Sequence, residues 1–400
     1  MKLLQVTYEV NTGIGRIAEN IGLIANSNGF DSYITYSRAF QPSKSITIKV
    51  GNKLEMLFHV FLTRFFDLHG LGSFWATKRL IKKIKKIAPD IIILHNIHGY
   101  YLNYSLLFRY LKQENDIPVY WVLHDCWAFT GHCTYFEYSG CTKWRKECSN
   151  CPLIHDYPKS LFFDLSKFHY HRKKSLFNIR NLTLVPVSNW LANLVKQSFL
   201  KDLPLQVIHN GIDINVFHPD KRIDLNGAFS NNKKYYVLGV AAVWDMRKGL
   251  QFFVDLASQL DGNYQIVIVG LTDSQLSSLP ENIIGLKRTS SAEELAKYYA
   301  SSNVFVNPTL EDNYPTTNLE AIACGTPVIT FNTGGSPESI SSDTGLVVEQ
   351  GNIEELKKAI VTVCERGKDY YTKNCRKRAI DVFDMNVCFN QYFELINKNG

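Results

Sequence analysis

The feature that most restricts the fold of this chain is a regular alternation of short apolar runs with longer amphipathic stretches. Strand-length runs rich in Leu, Ile and Val, bounded by polar turns, are the pattern of strands buried on both faces. Helix-length stretches between them make each connection long enough for a crossover, and such alternation builds parallel sheets. The order occurs twice. Strands are predicted at Lys2 to Thr7, Asp31 to Thr35, Asp90 to Leu94, Pro118 to Leu123 and Leu182 to Val187. A second set follows at Tyr235 to Val240, Gln265 to Val269, Ile283 to Leu286, Val304 to Asn307, Pro327 to Phe331 and Gly345 to Val348. Between the sets, Lys201 to Leu225 is rich in Pro, Asn, Gly and Asp, the composition of a connecting segment. With 400 residues available, the prediction is an α/β chain of two doubly wound, Rossmann-like domains, residues 1–203 and 204–385. Residues 386–400 are predicted as a helix returning to the first domain. Ligand loops then lie at the carboxyl ends of the strands, the two domains facing one another across a cleft.

Composition narrows the classes further. Hydrophobic residues make up 45% and charged residues 20%, which argues against wholesale disorder. The longest uncharged apolar run, Tyr235 to Trp244, has ten residues, well short of the ~20 that cross a bilayer as a helix. No signal-peptide cleavage region follows Met1, so a cytoplasmic protein is expected. Charge is uneven: up to residue 200 there are 25 Lys and Arg against 13 Asp and Glu, and beyond it 19 against 24. A basic first half suits an anionic partner. Lys78, Arg79, Lys82, Lys83, Lys85 and Lys86 interleave with Leu80, Ile81, Ile84 and Ile87, giving a basic amphipathic helix over 74–88. Met56 to Phe66, just before it, supplies candidate exposed aromatic residues. The helix is either an ordinary solvated face or a peripheral contact with the anionic inner surface of a membrane, and the second is the expectation carried forward. No zinc-finger, helix-turn-helix or RNA-binding aromatic motif accompanies the charge, so nucleic acid is not expected as a partner.

Five cysteines, Cys126, Cys133, Cys141, Cys148 and Cys151, fall within 26 residues. Cys148-Ser149-Asn150-Cys151 has the two-residue spacing that lets two thiolates grip one tetrahedral ion. Cys133 and Cys141 would complete a structural zinc site stapling the loop 124–152. The alternative is a set of buried or free thiols in an ordered loop.

Four loops at predicted strand ends are suited to chemistry. Asn11 to Arg16 contains Gly13 and Gly15, which let backbone N–H groups and a helix N-terminus approach a phosphate. It lacks the third glycine of a nicotinamide fingerprint, and no ribose-binding acid ends the second strand, so a dehydrogenase is a poor reading. His124-Asp125 follows an apolar strand and is flanked by aromatic residues, a setting for contact with a sugar, with Asp125 orienting the ring. His95 and His98 end the preceding strand as a weaker pair. Trp244 to Gly249 places Arg247 and Lys248 before a helix, where two cations can neutralise a leaving diphosphate. In Pro308 to Ala321, residues Asn313, Tyr314, Pro315, Thr316 and Thr317 open a helix toward phosphate, and Glu320 projects from it toward a ribose.

The ordered set of the Gly13-Gly15 loop, His124-Asp125, Val187-Ser188, Asn210-Gly211-Ile212-Asp213, Arg247-Lys248-Gly249, Asp312 to Glu320 and Ala323 to Val328 resembles family 4 glycosyltransferases over nearly the whole chain. Gly70 to Ser73, His95 to Tyr100 and the cysteine-rich segment 124–152 resemble enzymes of colanic-acid and capsular polysaccharide (exopolysaccharide) synthesis in particular. The resemblance implies a GT-B fold and a UDP- or GDP-sugar donor held mostly by the second domain. It also implies an acceptor held by the first, and transfer with retention without a catalytic metal. Carried over, Lys248 and Arg247 meet the donor diphosphate, Glu320 the ribose, His124 and Asp312 the donor sugar, and Asn210 and Gly211 join the donor site. Asp312 stands where the family normally has Glu, with Glu311 as a neighbouring substitute. Ala241-Ala242 stands where a Gly-Arg pair is frequent. The expected function is a membrane-peripheral retaining glycosyltransferase elongating a lipid-linked oligosaccharide for a surface polysaccharide. A sugar phosphorylase of the same architecture and a catalytically silent scaffold are the alternatives.

Overall fold

In a computed structural model the chain forms two α/β units, described for all residues except Asn11, Thr12, Ala39, Ser230 and Gly400, with backbone alone for Lys398 and Asn399. The first unit comprises Met1–His209 and Phe389–Gly400, the second Asn210–Cys388.

The first unit holds strands β1 (Lys2–Val6), β2 (Asp31–Tyr36), β3 (Ile46–Lys49), β4 (Ile91–Leu94), β5 (Val119–Leu123) and β6 (Leu182–Pro186). Its helices are α1 (Ile14–Ser27), α2 (Lys53–Phe66), α3 (Phe74–Ile87), α4 (Tyr104–Gln113), α5 (Ser166–Phe177) and α6 (Asn189–Val195). The sheet is parallel throughout, in the order β3-β2-β1-β4-β5-β6. Every residue of β4 and β5 is buried, as expected of strands covered by helices on both sides. β3 was not among the predicted strands. Its Ile-Thr-Ile-Lys alternation is a half-buried edge pattern rather than an apolar run.

The second unit repeats the plan with β7 (Tyr235–Val240), β8 (Tyr264–Val269), β9 (Ile283–Leu286), β10 (Val304–Asn307), β11 (Val328–Phe331) and β12 (Gly345–Val348). Its sheet order is β12-β11-β10-β7-β8-β9, again all parallel. The helices are α7 (Leu225–Phe229), α8 (Leu250–Ala257), α9 (Asp273–Ser277), α10 (Ala292–Ser301), α11 (Thr316–Ala323), α12 (Ile353–Arg366), α13 (Lys368–Arg378) and the start of α14 (Met385–Asn399). In each sheet the first strand lies between the second and a later one, so the strand order reverses beside β1 and beside β7. At each reversal the strand ends open a crevice, flanked in the first unit by the loops after β1 and β4 and in the second unit by those after β7 and β10.

The units divide at His209/Asn210, six residues beyond the expected boundary. The reason lies in backbone pairing: Pro204 to Ile208 runs alongside β6, with Leu184 N–H on the Pro204 carbonyl (2.8 Å) and Gln206 N–H on that of Leu184 (3.0 Å). The supposed connector therefore extends the edge of the first sheet. The second crossing falls within α14, whose Phe393 packs its ring edge-on against Phe30 at 5.4 Å in the first unit. Among the described residues no helix is long and apolar enough to cross a membrane.

Gly211 shows how tightly the second unit closes. Ile212 exchanges backbone hydrogen bonds with Phe383 and Met385, and a Cβ on Gly211 would sit 2.6 Å from Met385 Cα. Backbone cannot yield as a side-chain tip can, so Gly211→Ala is expected to destabilise the protein by about 1–3 kcal/mol. Denaturant unfolding monitored by far-UV circular dichroism measures this, and an unchanged midpoint contradicts it.

Candidate active site

Gly249 makes the second unit's site possible. It sits at φ +73°, and a Cβ there would lie 2.2 Å from the Pro308 carbonyl oxygen. Only glycine lets the turn Asp245–Lys248 rest on the end of β10. Leu310 N–H then donates to the Arg247 carbonyl at 2.7 Å, joining the loops that follow β7 and β10. Within this junction Lys248 Nζ lies 2.6 Å from Asp312 Oδ2, and Arg247 Nη2 lies 2.9 Å from Asp245 Oδ2. Asp245 Oδ1 also accepts the Lys248 N–H (3.2 Å), and Asp312 Oδ1 accepts the Tyr314 N–H (3.2 Å). Both cationic side chains remain partly open to solvent.

The start of α11 has Pro315 as its N-cap, and no side chain caps it. First-turn N–H groups in this state are a ready anion site. Five residues into the chain of α11, Glu320 is nine-tenths buried and its Oε2 accepts the Tyr299 hydroxyl at 3.1 Å. Burial and that carboxylate both hold the Tyr299 phenol far above its ordinary pKa, so it remains a donor. Asn318, one turn into the helix, donates to Ser336 and Ser339, anchoring α11 to the segment after β11. Glu311, the neighbour proposed to substitute for Asp312, is buried, whereas Asp312 faces Lys248. Asn210 and Gly211 pack against Met385 and Cys388; the buried Tyr314 lies near Cys388 as well.

At the strand ends of the first unit a hydrogen-bond chain fixes the proton positions. Gln5 Nε2 donates to the Ala18 carbonyl (2.7 Å), so Gln5 Oε1 accepts from His95 Nε2 (3.1 Å). Burial keeps His95 neutral, leaving its Nδ1 to accept from His124 Nε2 at 3.2 Å. His124 is thus oriented by His95, not by Asp125 as the sequence suggests. Asp125 pairs with His98 Nε2 at 2.8 Å and accepts the Trp127 N–H at 2.9 Å. Burial opposes ionisation of Asp125, yet His98 and that amide outweigh it and hold the carboxyl below its usual range. Tyr157 Oη stands 3.3 Å from His98 Nδ1. Gly13 and Gly15 open α1, but the Ile14 N–H there is taken by the Glu9 carboxylate at 3.0 Å. Asn11 and Thr12 of the same loop lie outside the described residues.

The cysteines of the loop 124–152 lie near one another: Cys133 feels the charges of Cys151 and Cys148, and Cys148 those of Cys141 and Cys151. Cys133 and Cys151 approach closely enough for a thiol hydrogen bond, with Cys133 keeping the proton. Cys148 Sγ instead accepts the Gly131 N–H at 3.2 Å, and Cys141 is partly exposed. Among the described residues the one group of three ligand types within 4.8 Å is Asp67, His69 and His169. Its ring nitrogens are already engaged: His69 by Trp127 and Gly131, His169 by the Asp67 carbonyl and Tyr104. Hydrogen bonds among these thiols and imidazoles hold the loop, and a structural zinc on Cys133, Cys141, Cys148 and Cys151 stands as a proposal from the sequence.

Sequence reasoning missed Tyr299, Asp245 and the His98–Asp125 pairing. His98 was visible from its place after a strand. Tyr299 carries no local signal, because its partner lies 21 residues away on another helix.

Residues 54–216 match the family described as Glycosyltransferase Family 4, and residues 234–366 that described as Glycosyl transferases group 1. A protein of Escherichia coli K12 named as a colanic acid biosynthesis glycosyl transferase, WcaC, is 21% identical over 89% of both chains. An E. coli UDP-Gal:α-D-GlcNAc-diphosphoundecaprenol α-1,3-galactosyltransferase is 26% identical over 48% of this chain and 53% of its own. The crystal structure of Anabaena HepE in complex with UDP-glucose superposes with a TM-score of 0.67 over the whole of both chains at 14% identity. The fold of two Rossmann-like domains is GT-B.

Burial holds His59 and His169 at a pKa of about 3 and His124 at about 4. These rings are neutral in the fold but protonated in the unfolded chain below about 6.5, so acid favours unfolding. The thermal midpoint is expected to fall by roughly 5 °C or more from pH 7 to pH 5. Calorimetry across that window checks this; a flat midpoint contradicts it.

Proposed function

The chain belongs to the glycosyltransferases, with a Family 4 half followed by a group 1 half, and on that premise we propose that it transfers a sugar, with retention, from a nucleotide-diphosphate donor to a lipid-linked oligosaccharide. The donor is a UDP- or GDP-sugar and the product part of a surface polysaccharide, capsule or exopolysaccharide. The basic helix α3 faces the anionic inner surface of the membrane that holds the acceptor. Support for the donor class comes from the UDP-glucose complex of Anabaena HepE, and for the acceptor class from the diphosphoundecaprenol named in the E. coli relative.

The observation that carries the reading is the Lys248–Asp312 contact at 2.6 Å on the Gly249 turn. A partly exposed cation held by one carboxylate can exchange that partner for a phosphoryl oxygen at little cost in reorganisation. Lys248, Arg247 and the uncapped start of α11 at Thr316 and Thr317 then meet the charge that grows on the leaving diphosphate. Asp312, released from Lys248, accepts from a hydroxyl of the donor sugar. Glu320, oriented by Tyr299, accepts from the ribose hydroxyls. His124 lies beside the sugar as an uncharged ring, because an imidazolium there would have to overcome its burial. In the reaction the bond from the anomeric carbon to the phosphate oxygen breaks as the acceptor oxygen bonds on the same face. The acceptor proton passes to the departing phosphate. Charge neutralisation by side chains and amides asks no metal ion of this step, so transfer is expected to persist in chelator.

Lys248→Ala should lower kcat by roughly 10²–10³-fold. Glu320→Ala and Tyr299→Phe should act mainly on the KM for the nucleotide sugar, the tyrosine variant also losing about 1–3 kcal/mol of stability. Steady-state transfer assays and thermal unfolding measure these effects. Undiminished transfer by both Lys248→Ala and Glu320→Ala overturns the site.

A further inference from the structure

Helix α2 is turned inside out. The side chains it buries are polar: His59 and Thr63 are wholly inaccessible, as is Asp67 just past its end. Leu54, Leu57, Phe58, Phe61 and Phe65 point outward, with Leu54 77% and Phe58 59% exposed. A surface helix in water has the reverse arrangement. The inversion is fixed, because the helix cannot roll to hide its phenylalanines without breaking the bonds of His59. Its Nε2 accepts the N–H groups of Gly70 (3.0 Å) and Gly72 (3.3 Å), and its Nδ1 donates to Ser73 Oγ at 2.9 Å. Rings continue the apolar surface beyond the helix: Phe65 meets Phe162 at 5.6 Å and Phe66 stacks on Phe163 at 6.0 Å, with Phe162 70% exposed.

The neighbouring α3 identifies what covers this surface. Arg79 bonds Glu55 in the first turn of α2 at 2.7 Å, which brings α3 against the start of α2. α3 contains no acidic residue, and Lys78, Lys82, Lys83, Lys85 and Lys86 are all exposed. At its start Trp75 is 65% exposed, with Lys78 Nζ 5.1 Å from its ring. Glu55 is tied to Arg79, and Asp164, beside Phe163, accepts the Cys151 and Ser166 N–H groups, so along α3 the aromatic ridge is bordered by an excess of cations, which matches the boundary between acyl chains and anionic head groups. A protein partner would more naturally meet a rim of mixed charge.

We propose that the outward face of α2, continued by Phe162 and Phe163, inserts into an anionic lipid bilayer while the lysines of α3 rest on its head groups. This deepens the reading of a membrane-borne acceptor and rests on it for its purpose, but not for its test. The proposal differs from adsorption by a basic helix in making aromatic burial the anchor.

The test is co-sedimentation with vesicles of phosphatidylcholine alone and of phosphatidylcholine with about one-third phosphatidylglycerol. The full chain should bind the anionic vesicles and retain part of that binding at high salt, where charge alone is screened. The triple variant Phe58→Ser, Phe61→Ser, Phe162→Ser should lose roughly tenfold or more of its partitioning and all salt-resistant binding. It should keep its thermal midpoint, since these rings face solvent. Failure of the full chain to bind either vesicle, or undiminished binding by the triple variant, overturns the proposal. So does a full chain that is dimeric in solution when the triple variant is monomeric, since a second copy would then cover the face. Transfer from a UDP- or GDP-sugar to a water-soluble short-chain acceptor separates the two readings. Transfer without vesicle binding sinks only this inference, and vesicle binding without transfer sinks only the proposed reaction.

Discussion

Parallel pairing on both flanks of β1 and of β7 is the constraint from which the remaining architecture follows. A first strand paired on one side with its immediate successor and on the other with a later strand sends its crossovers to opposite faces of the sheet. The loops at the carboxyl ends of that strand and of its later neighbour therefore diverge. Lys248 follows β7, Asp312 and Glu320 follow β10 on such a loop and the helix it opens, and His124 follows β5, the neighbour of β4.

Those loops are held by polar contacts rather than by apolar packing. In the second unit, Gly249 admits the Pro308 carbonyl, Leu310 closes on Arg247, and the cations face carboxylates across the junction. In the first, the relay from Ala18 through Gln5 and His95 to His124 crosses from a helix through the sheet to the loop. Such a relay fixes a tautomer as well as a position. Each carboxylate beside a cation in the second unit keeps the local charge near neutral until an anion competes for it. A site with unopposed cations would repel them from one another and loosen the turn.

How much of this was legible in the sequence depended on range. The apolar strands could be read because burial on both faces leaves a local imprint; β3 could not, since an edge strand such as Ile46–Lys49 shares its alternation with many loops. Arg247, Lys248 and Glu320 were recognisable from motif order, and the first two lie beside one another on one turn. Pairings across elements were not legible. Asp125 looked like the partner of its neighbour His124, but successive side chains at a strand end diverge, and the carboxylate turned to His98. Cysteine spacing brought out the cluster, but not that Cys148 Sγ accepts the Gly131 N–H. Helix α2 is the sharpest case. Its composition was noted as aromatic, yet which face is buried is decided by His59 and the Gly70–Ser73 turn.

The second unit is an insertion within the first: the chain leaves the first unit at His209 and re-enters it at Phe389. Phe30, which precedes the second unit, finds its ring partner Phe393 only after the whole of the intervening unit has been synthesised. On the ribosome the first unit must therefore wait, its sheet formed but one patch uncovered, through some 180 residues of elongation, or about 10–40 s at ordinary rates. A nascent chain stalled anywhere in residues 210–388 would expose that patch, which makes the completion of the N-terminal unit a late event in its biosynthesis.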